Sequence, residues 1–310
     1  MIELLVSEEF AAANAPRLAE FSAQLSIVTL GDARSKEAQA AYFSPDCYPD
    51  LAAHFMIAAI EAPNLRWLQT FSAGVDHPIF ADLAERGVQV TTGSGASAVP
   101  IAHAVVMHLL ALSRGLPEIL AQQSRKEWKR IEGRDLPGST TVVLGFGPIG
   151  RAVAELLPLF GSRTIVLRRS PKGDEPVEAW PISRLNEALA IADNLVLALP
   201  ANPDTIGIID SKAIDALADH AFIVNVGRGE LIDEDALIEA CRSGRLGGAA
   251  LDVFAIEPLP DHSPLWDLPN VIVSPHIAAR TPLTDQNVTE IFYLNLRRFL
   301  DGTPLQNQVD

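Results

Sequence analysis

The chain has 310 residues, enough for two domains with well-buried cores. Lysine and arginine number 24 against 39 acidic residues, and the net charge of −15 argues against nucleic acid or an anionic membrane as a partner. Cys47 and Cys241 lack metal-ligand spacing, which predicts reduced thiols and no bound metal in a cytoplasmic protein. The chain starts without a basic segment, and no apolar run approaches the roughly 18–20 residues that span a bilayer.

The first 97 residues alternate strand-like and helix-like segments, which is typical of a small α/β domain. Strands are predicted over 2–6, 26–30, 66–71 and 88–92. The loop SAGVD, at 72–76, follows the third of these strands, at the sheet edge where α/β proteins bind ligands. A link of small residues at 93–97 precedes a long apolar helix predicted over 100–114, and it is a candidate hinge into a second domain.

The strongest motif is a GxGxxG loop between a predicted buried strand at 140–144 and a run with helical periodicity. Glycines at these positions allow a tight turn, close approach of a pyrophosphate, and close packing of the helix on the strand. An ordinary strand-to-helix turn is the alternative interpretation. In this context we expect dinucleotide binding by the six loop residues Gly145, Phe146, Gly147, Pro148, Ile149 and Gly150.

Further strands after the motif complete a doubly wound parallel sheet. They are predicted over 163–167, 191–199, 221–226, 248–253 and 270–274, and Pro158 is expected to kink or end the motif helix. A last helix, predicted over 285–300, is expected to return to the first domain. The sequence therefore predicts a substrate-binding domain of residues 1–97 plus 285–310 and a dinucleotide-binding domain of residues 98–284.

The end of the second strand of this domain indicates which cofactor is preferred. An acidic residue usually binds the adenosine ribose hydroxyls there, whereas this chain has Arg168, Arg169 and Ser170. Two guanidinium groups and a hydroxyl suit a 2′-phosphate. This favours NADPH over NADH, although one arginine stacking on the adenine would allow both cofactors.

Three polar side chains follow later strand ends, on the rim where ligands bind. Arg228 lies between glycines in NVGRG, Glu257 lies in DVFAIEP, and His276 lies in SPHIA. An arginine, an acid and a histidine together supply a carboxylate clamp, an orienting group and a proton donor. Taken singly, Arg228 could be a surface residue, Glu257 part of an ordinary loop, and His276 a satisfied histidine in a turn.

In this order after GFGPIG, and with SAGVD before it, these segments resemble the signature segments of the D-isomer-specific 2-hydroxyacid dehydrogenase family over nearly the whole chain. The resemblance implies two Rossmann-like α/β domains with the active site in the cleft between them, and a homodimer. It implies that Arg228 binds the substrate carboxylate and that His276 protonates the carbonyl oxygen as hydride arrives from the nicotinamide. Glu257 would hydrogen-bond His276 and favour its protonated form.

The resemblance also assigns binding residues. Ala73, Gly74 and Val75 would hold the substrate carboxylate together with Arg228 and His276. Beyond the glycine loop and the Arg168–Ser170 segment, the cofactor would contact Leu199, Pro200, Thr205, Val226, Gly227, Arg228, Asp252, His276 and Ala278. Trp128 is expected to help set the size of the substrate.

The predicted activity is reduction of a small 2-oxo acid, of the glyoxylate or hydroxypyruvate type, to the D-2-hydroxy acid with NADPH. His103 stands where the family's interdomain helix usually has glutamate. We expect no appended C-terminal regulatory domain, which argues against the allosteric phosphoglycerate dehydrogenases. Two alternatives remain open at this point. One is an NAD-linked D-2-hydroxyacid dehydrogenase, and the other is a dinucleotide-sensing binding protein of the same fold.

Overall fold

A computed structural model describes residues 1–75 and 77–309. Asp76, the last residue of the SAGVD motif, lies outside the described residues, as does Asp310. The chain divides into two compact units, Met1–Ser97 with Thr281–Asp310, and Ala98–Arg280. The second boundary differs from the predicted one because the last helix starts early: the Thr281 hydroxyl accepts a hydrogen bond from the Thr284 amide at 3.2 Å and caps it.

The first unit contains five parallel strands in the order β2-β1-β3-β4-β5. These are β1 (Ile2–Val6), β2 (Leu25–Thr29), β3 (Ala40–Phe43), β4 (Trp67–Thr70) and β5 (Gln89–Thr91). Its first helices are α1 (Glu8–Ala13), α2 (Ala15–Ala19), α3 (Ala52–Glu61) and α4 (Pro78–Glu85).

The second unit contains seven parallel strands in the order β12-β11-β10-β9-β6-β7-β8. The strands are β6 (Thr140–Leu144), β7 (Arg163–Arg168), β8 (Glu178–Pro181), β9 (Asn194–Leu197), β10 (Phe222–Asn225), β11 (Gly248–Leu251) and β12 (Val271–Val273). The helices are α5 (Ala98–Ser113), α6 (Leu116–Arg125), α7 (Pro148–Leu156), α8 (Leu185–Leu189), α9 (Ser211–Ala216) and α10 (Glu234–Arg242). The final helix of the chain, α11 (Pro282–Asp301), belongs to the first unit.

Alternation of side chains along each strand produces the two cores of the second unit. Val142 and Leu144 of β6 pack into one apolar cluster, whereas Val143 between them packs into the cluster on the other face with α5. All three are fully buried. Both faces of the sheet are therefore covered, and its central strands are largely apolar in sequence.

Two strands escaped prediction, and both have atypical sequences. β3 contains two alanines, which have low strand propensity, and β8 has the sequence EAWP at the edge of its sheet. The strands that the sequence predicts are all present, with ends that differ by a few residues. The helix α7 ends at Leu156, and a 3-10 turn at Leu157–Phe160 contains Pro158, as expected from the missing amide hydrogen of proline.

Among the described residues, no single helix is long and apolar enough to cross a membrane. The helices α5 and α6, which are bent by 61° relative to each other, reach the required length and apolar composition only when they are counted together. The helix α5 is mostly buried inside its own unit. Cys47 and Cys241 are both buried free thiols.

Candidate active site

The glycine loop lies where the strand order of the second sheet reverses, between β6 and β9. Gly145 has a φ of +110°, and a Cβ there would lie 2.6 Å from the carbonyl oxygen of Ala198. A Cβ on Gly150 would lie 2.1 Å from the carbonyl oxygen of Gly145. These two glycines are required for the turn and for the close packing of α7 on it.

Gly147 differs from its two neighbours, because a Cβ there would meet no atom within 4 Å. It is the N-cap residue of α7 and provides no side chain to satisfy the first amides of that nine-residue helix. Free amides and the positive end of the helix dipole favour an anion at this point. The open space and the unsatisfied donors fit a pyrophosphate, so the site suits a dinucleotide on the chain's own geometry.

Leu199 connects the glycine loop to the segment that carries Arg228. Its side chain lies 3.1 Å from the position of a Cβ on Gly145, and its carbonyl oxygen lies 2.7 Å from that of a Cβ on Gly227. Asn225 fixes the Arg228 segment from below: its Oδ1 accepts from the Gly227 amide at 3.0 Å, and its Nδ2 donates to the Arg228 carbonyl at 2.8 Å. Asn225 is buried, and the sequence reasoning missed it.

Arg228, Glu257 and His276 line one pocket of about 280 Å³ together with Gly229, Glu230, Phe254 and Ala255. A Cβ on Gly229 would lie 1.9 Å from the carbonyl carbon of Phe254, so the two loops are in direct backbone contact. The Arg228 Nη1 donates to the Gly227 carbonyl at 2.8 Å. The structure thus brings together the three side chains that the sequence predicted would converge.

Glu257 holds the imidazole of His276. Its Oε2 lies 2.8 Å from His276 Nδ1, and its Oε1 accepts from the Phe254 amide at 3.1 Å. Because a carboxylate only accepts, Nδ1 carries the hydrogen and Nε2 is left for a ligand. The side chains of His276 and Glu257 are 52% and 37% exposed, so the pair is accessible from solvent.

The loop that carries His276 is held by Asp252, which is buried. Its carboxylate accepts from the Ser274 hydroxyl and from the amides of Ile277 and Ala278, the last two at 3.0 Å each. His276 itself has a φ of +54°, a value that residues other than glycine seldom adopt. Three hydrogen bonds to one carboxylate maintain this strained conformation, a role that the sequence did not reveal.

The SAGVD loop belongs to the first unit. The Ser72 hydroxyl donates to the Gly74 carbonyl at 2.8 Å and lies 2.9 Å from the Thr70 hydroxyl. The amides of Gly74 and Val75 make no hydrogen bond to another described residue. Nearby His77 is the N-cap of α4, since its Nδ1 accepts from the Ile79 amide at 3.2 Å.

Arg168, at the end of β7, has a partner that the sequence did not predict. Its Nη1 donates to Glu175 Oε1 at 2.7 Å, and its guanidinium lies 5.1 Å from the centre of the Phe146 ring. Arg169 and Ser170 are exposed beside it. The Thr205 hydroxyl donates to the Pro200 carbonyl at 2.7 Å and accepts from the Asn202 amide, which shapes the loop after β9.

The remaining predicted binding residues lie along the same sheet edge. Ile149 and Ala278 pack partly against the core, and Val226 is buried at the end of β10. Trp128, by contrast, is 96% exposed and does not line the pocket of about 280 Å³.

Comparison with known proteins agrees with this geometry. The profile of the NAD-binding domain of the D-isomer specific 2-hydroxyacid dehydrogenases matches residues 106–278. Over 257 residues the chain is 35% identical to the glyoxylate/hydroxypyruvate reductase B of Pectobacterium atrosepticum, with 80% of each chain covered. It is 34% identical over 256 residues to the D-3-phosphoglycerate dehydrogenase of Methanocaldococcus jannaschii, which covers 81% of this chain and 48% of that protein.

Two solved structures are similar over the full chain. A D-isomer specific 2-hydroxyacid dehydrogenase family protein from Aeromonas salmonicida is 33% identical, with a TM-score of 0.84 over 100% of this chain and 98% of that one. A probable 2-hydroxyacid dehydrogenase from Rhizobium etli, in complex with NADP, HEPES and L(+)-tartaric acid, is 30% identical, with a TM-score of 0.78 over the same shares.

A doubly wound sheet with a glycine loop and an Arg, Glu and His pocket defines a nicotinamide-dependent oxidoreductase. The chain belongs to the D-isomer specific 2-hydroxyacid dehydrogenase family.

Proposed function

We propose that this enzyme reduces a small 2-oxo acid, of the glyoxylate or hydroxypyruvate type, to the D-2-hydroxy acid, with NADPH as its preferred cofactor. The observation that carries the proposal is the paired imidazole of His276 in the pocket that Arg228 also lines. A 2-oxo acid needs a cation for its carboxylate and a proton for its carbonyl oxygen, and these two side chains supply both.

When bound, a reduced nicotinamide would supply a hydride to the carbonyl carbon of the substrate. His276 donates the proton from Nε2 to the carbonyl oxygen, because Nδ1 is committed to Glu257. Arg228 binds the carboxylate, and the amides of Gly74 and Val75 are proposed as additional donors to it. Asp252 acts as a positioning residue by holding the loop that carries His276.

The cofactor is held by the loop from Gly145 to Gly150 and by the free amides at the start of α7. The preference for NADPH is supported by Arg168, Arg169 and Ser170, which replace the usual acidic residue, and by the NADP bound to the similar Rhizobium etli protein. The remaining proposed cofactor contacts are Leu199, Pro200, Thr205, Val226, Gly227, Asp252 and Ala278.

We further propose a homodimer in the cytoplasm. Apolar side chains of α5 and α6 are exposed on the isolated chain, among them Met107 at 55% and Leu120 at 54%. Burial of such side chains against a second copy would stabilise a dimer. Light scattering on the purified protein should give twice the chain mass, and a monomer at micromolar concentration would overturn this part of the proposal.

The activity is tested with a panel of 2-oxo acids, each with NADPH and with NADH, followed by the loss of nicotinamide absorbance. Glyoxylate and hydroxypyruvate should be reduced with the higher kcat/KM when NADPH is the cofactor. Pyruvate and phosphohydroxypyruvate test the size limit and the phosphoglycerate dehydrogenase alternative. Higher efficiency with NADH, or turnover of phosphohydroxypyruvate alone, would contradict the proposal.

A further inference from the structure

The loop after β7 contains a carboxylate, that of Glu175, which accepts hydrogen bonds from the loop itself and from Arg168. Glu175 Oε1 accepts from Arg168 Nη1 at 2.7 Å and from the Lys172 amide at 2.9 Å, and Oε2 accepts from the Gly173 amide at 2.8 Å. The Glu175 side chain is 2% exposed, although it lies in a loop of otherwise exposed charged residues. A buried carboxylate with three donors is a fixed part of this end of the sheet.

These donors have the composition of an anion site. Gly173, with a φ of +81°, turns the backbone so that its amide and that of Lys172 point to one carboxylate. Adjacent backbone amides with a guanidinium are a common arrangement for binding phosphate. The hydrogen bond from the Lys172 amide, together with those from Arg168 and Gly173, outweighs burial and lowers the pKa of Glu175 to about 2.

We propose that Glu175 is a specificity-determining residue for the cofactor, because its carboxylate occupies donors that a 2′-phosphate would otherwise use. This inference rests on the proposed function, in which Arg168 faces the adenosine ribose. A carboxylate and a phosphate only accept hydrogen bonds and repel each other, so they compete for Arg168. A ribose 2′-hydroxyl can instead donate to a carboxylate, so NADH does not meet this opposition.

The other charges around Arg168 act in the same direction. Asp174 lies 3.8 Å from Arg168 and 3.8 Å from Arg151, so the second acid of the loop also lowers the positive potential there. Arg151 and Arg168 lie 4.7 and 5.1 Å from the centre of the Phe146 ring. Arg169 has no ion pair with another described residue and remains available to a phosphate. The arrangement therefore gives a preference for NADPH over NADH that is moderate, because Glu175 weakens it.

The test is Glu175→Gln, which removes the charge and retains one oxygen that can accept from the Lys172 amide or from the Gly173 amide. Binding of NADPH and NADH is measured by nicotinamide fluorescence, so the readout does not require turnover. We expect NADPH to bind about tenfold more tightly than to the unmodified enzyme, and NADH to change by less than about twofold. In a Glu175→Gln, Arg168→Gln double variant this selective gain should be lost.

Glu178→Gln is the matched control, since Glu178 pairs with Arg163 at 2.8 Å on the surface and away from the loop donors. It should leave both affinities unchanged. If Glu175→Gln does not fold, Glu175→Ala replaces it with the same expectation. A selective loss of NADPH binding would overturn the inference by showing that Glu175 positions Arg168, and an equal change for both cofactors would overturn it as a general structural effect. If the unmodified enzyme bound neither cofactor, the proposed function itself would fail.

Discussion

Two carboxylates of the second unit each hold a basic side chain, and they are built differently. Glu257 is 37% exposed and accepts one hydrogen bond from the backbone and one from His276. Glu175 is 2% exposed and accepts two hydrogen bonds from the backbone and one from Arg168. The open pair can exchange a proton with a ligand, whereas the buried pair presents a fixed charge. The proposed chemistry thus belongs to the open pair, and the proposed cofactor selectivity belongs to the buried one.

Removal of the imidazole from the open pair should have the largest effect. His276→Ala deletes the proposed proton donor, so kcat for glyoxylate should fall by about a hundredfold to ten-thousandfold. Dinucleotide binding, measured by nicotinamide fluorescence, should change little because the glycine loop is intact. Retention of normal turnover would exclude His276 as the proton donor, whereas dinucleotide binding with no turnover by the unmodified protein would favour a dinucleotide-binding protein.

Loss of the guanidinium beside this pair should be the next largest effect. Arg228→Lys retains a positive charge and loses the two-pronged geometry that matches a carboxylate. We expect kcat/KM to fall by about tenfold to a hundredfold, as the loss of a charge-assisted hydrogen bond implies. Steady-state kinetics with glyoxylate measures this. An unchanged kcat/KM would show that the substrate carboxylate binds elsewhere.

Two glycines of the cofactor-binding loop, Gly147 and Gly150, provide a matched pair of variants. Gly147→Ala adds a methyl group into open space, so thermal stability should be retained while cofactor binding weakens about tenfold. Gly150→Ala places a Cβ 2.1 Å from a carbonyl oxygen and should destabilise the unit by about 2 kcal/mol or more. Thermal melts with and without NADPH separate the two effects. Equal melting temperatures for both variants would contradict the assigned roles.

The buried carboxylate should have the smallest effect, visible as a dependence of stability on pH. Since the pKa of Glu175 is lowered from 4.5 to about 2, its contribution to stability is fully present above 4.5 and is lost as the pH falls toward 2. The difference in melting temperature between the unmodified enzyme and Glu175→Gln should therefore shrink across that range. A difference that stays constant with pH would show that the ionised carboxylate is not responsible.

The two carboxylates also differ in whether their roles could be predicted from the sequence. Glu257 could be predicted because it lies in a family segment after a strand end, and the glycine loop could be predicted from its strand and helix context. Glu175 could not, because KGDE is typical of a solvated charged loop and only the folded backbone aims two amides at one carboxylate. For the same reason Asn225 and Asp252 were not recognised as supports of neighbouring loops. The strand β3 was missed because its alanines carry little strand signal.

The central claim is tested most directly by following the transferred hydrogen. NADPH that carries deuterium at both C4 positions of the nicotinamide, incubated with hydroxypyruvate and the enzyme, should produce D-glycerate with deuterium at C2, detected by NMR. The label should be transferred far more slowly by His276→Ala. Oxidation of NADPH without deuterium at C2 of the product, or formation of the L-isomer, would contradict the account.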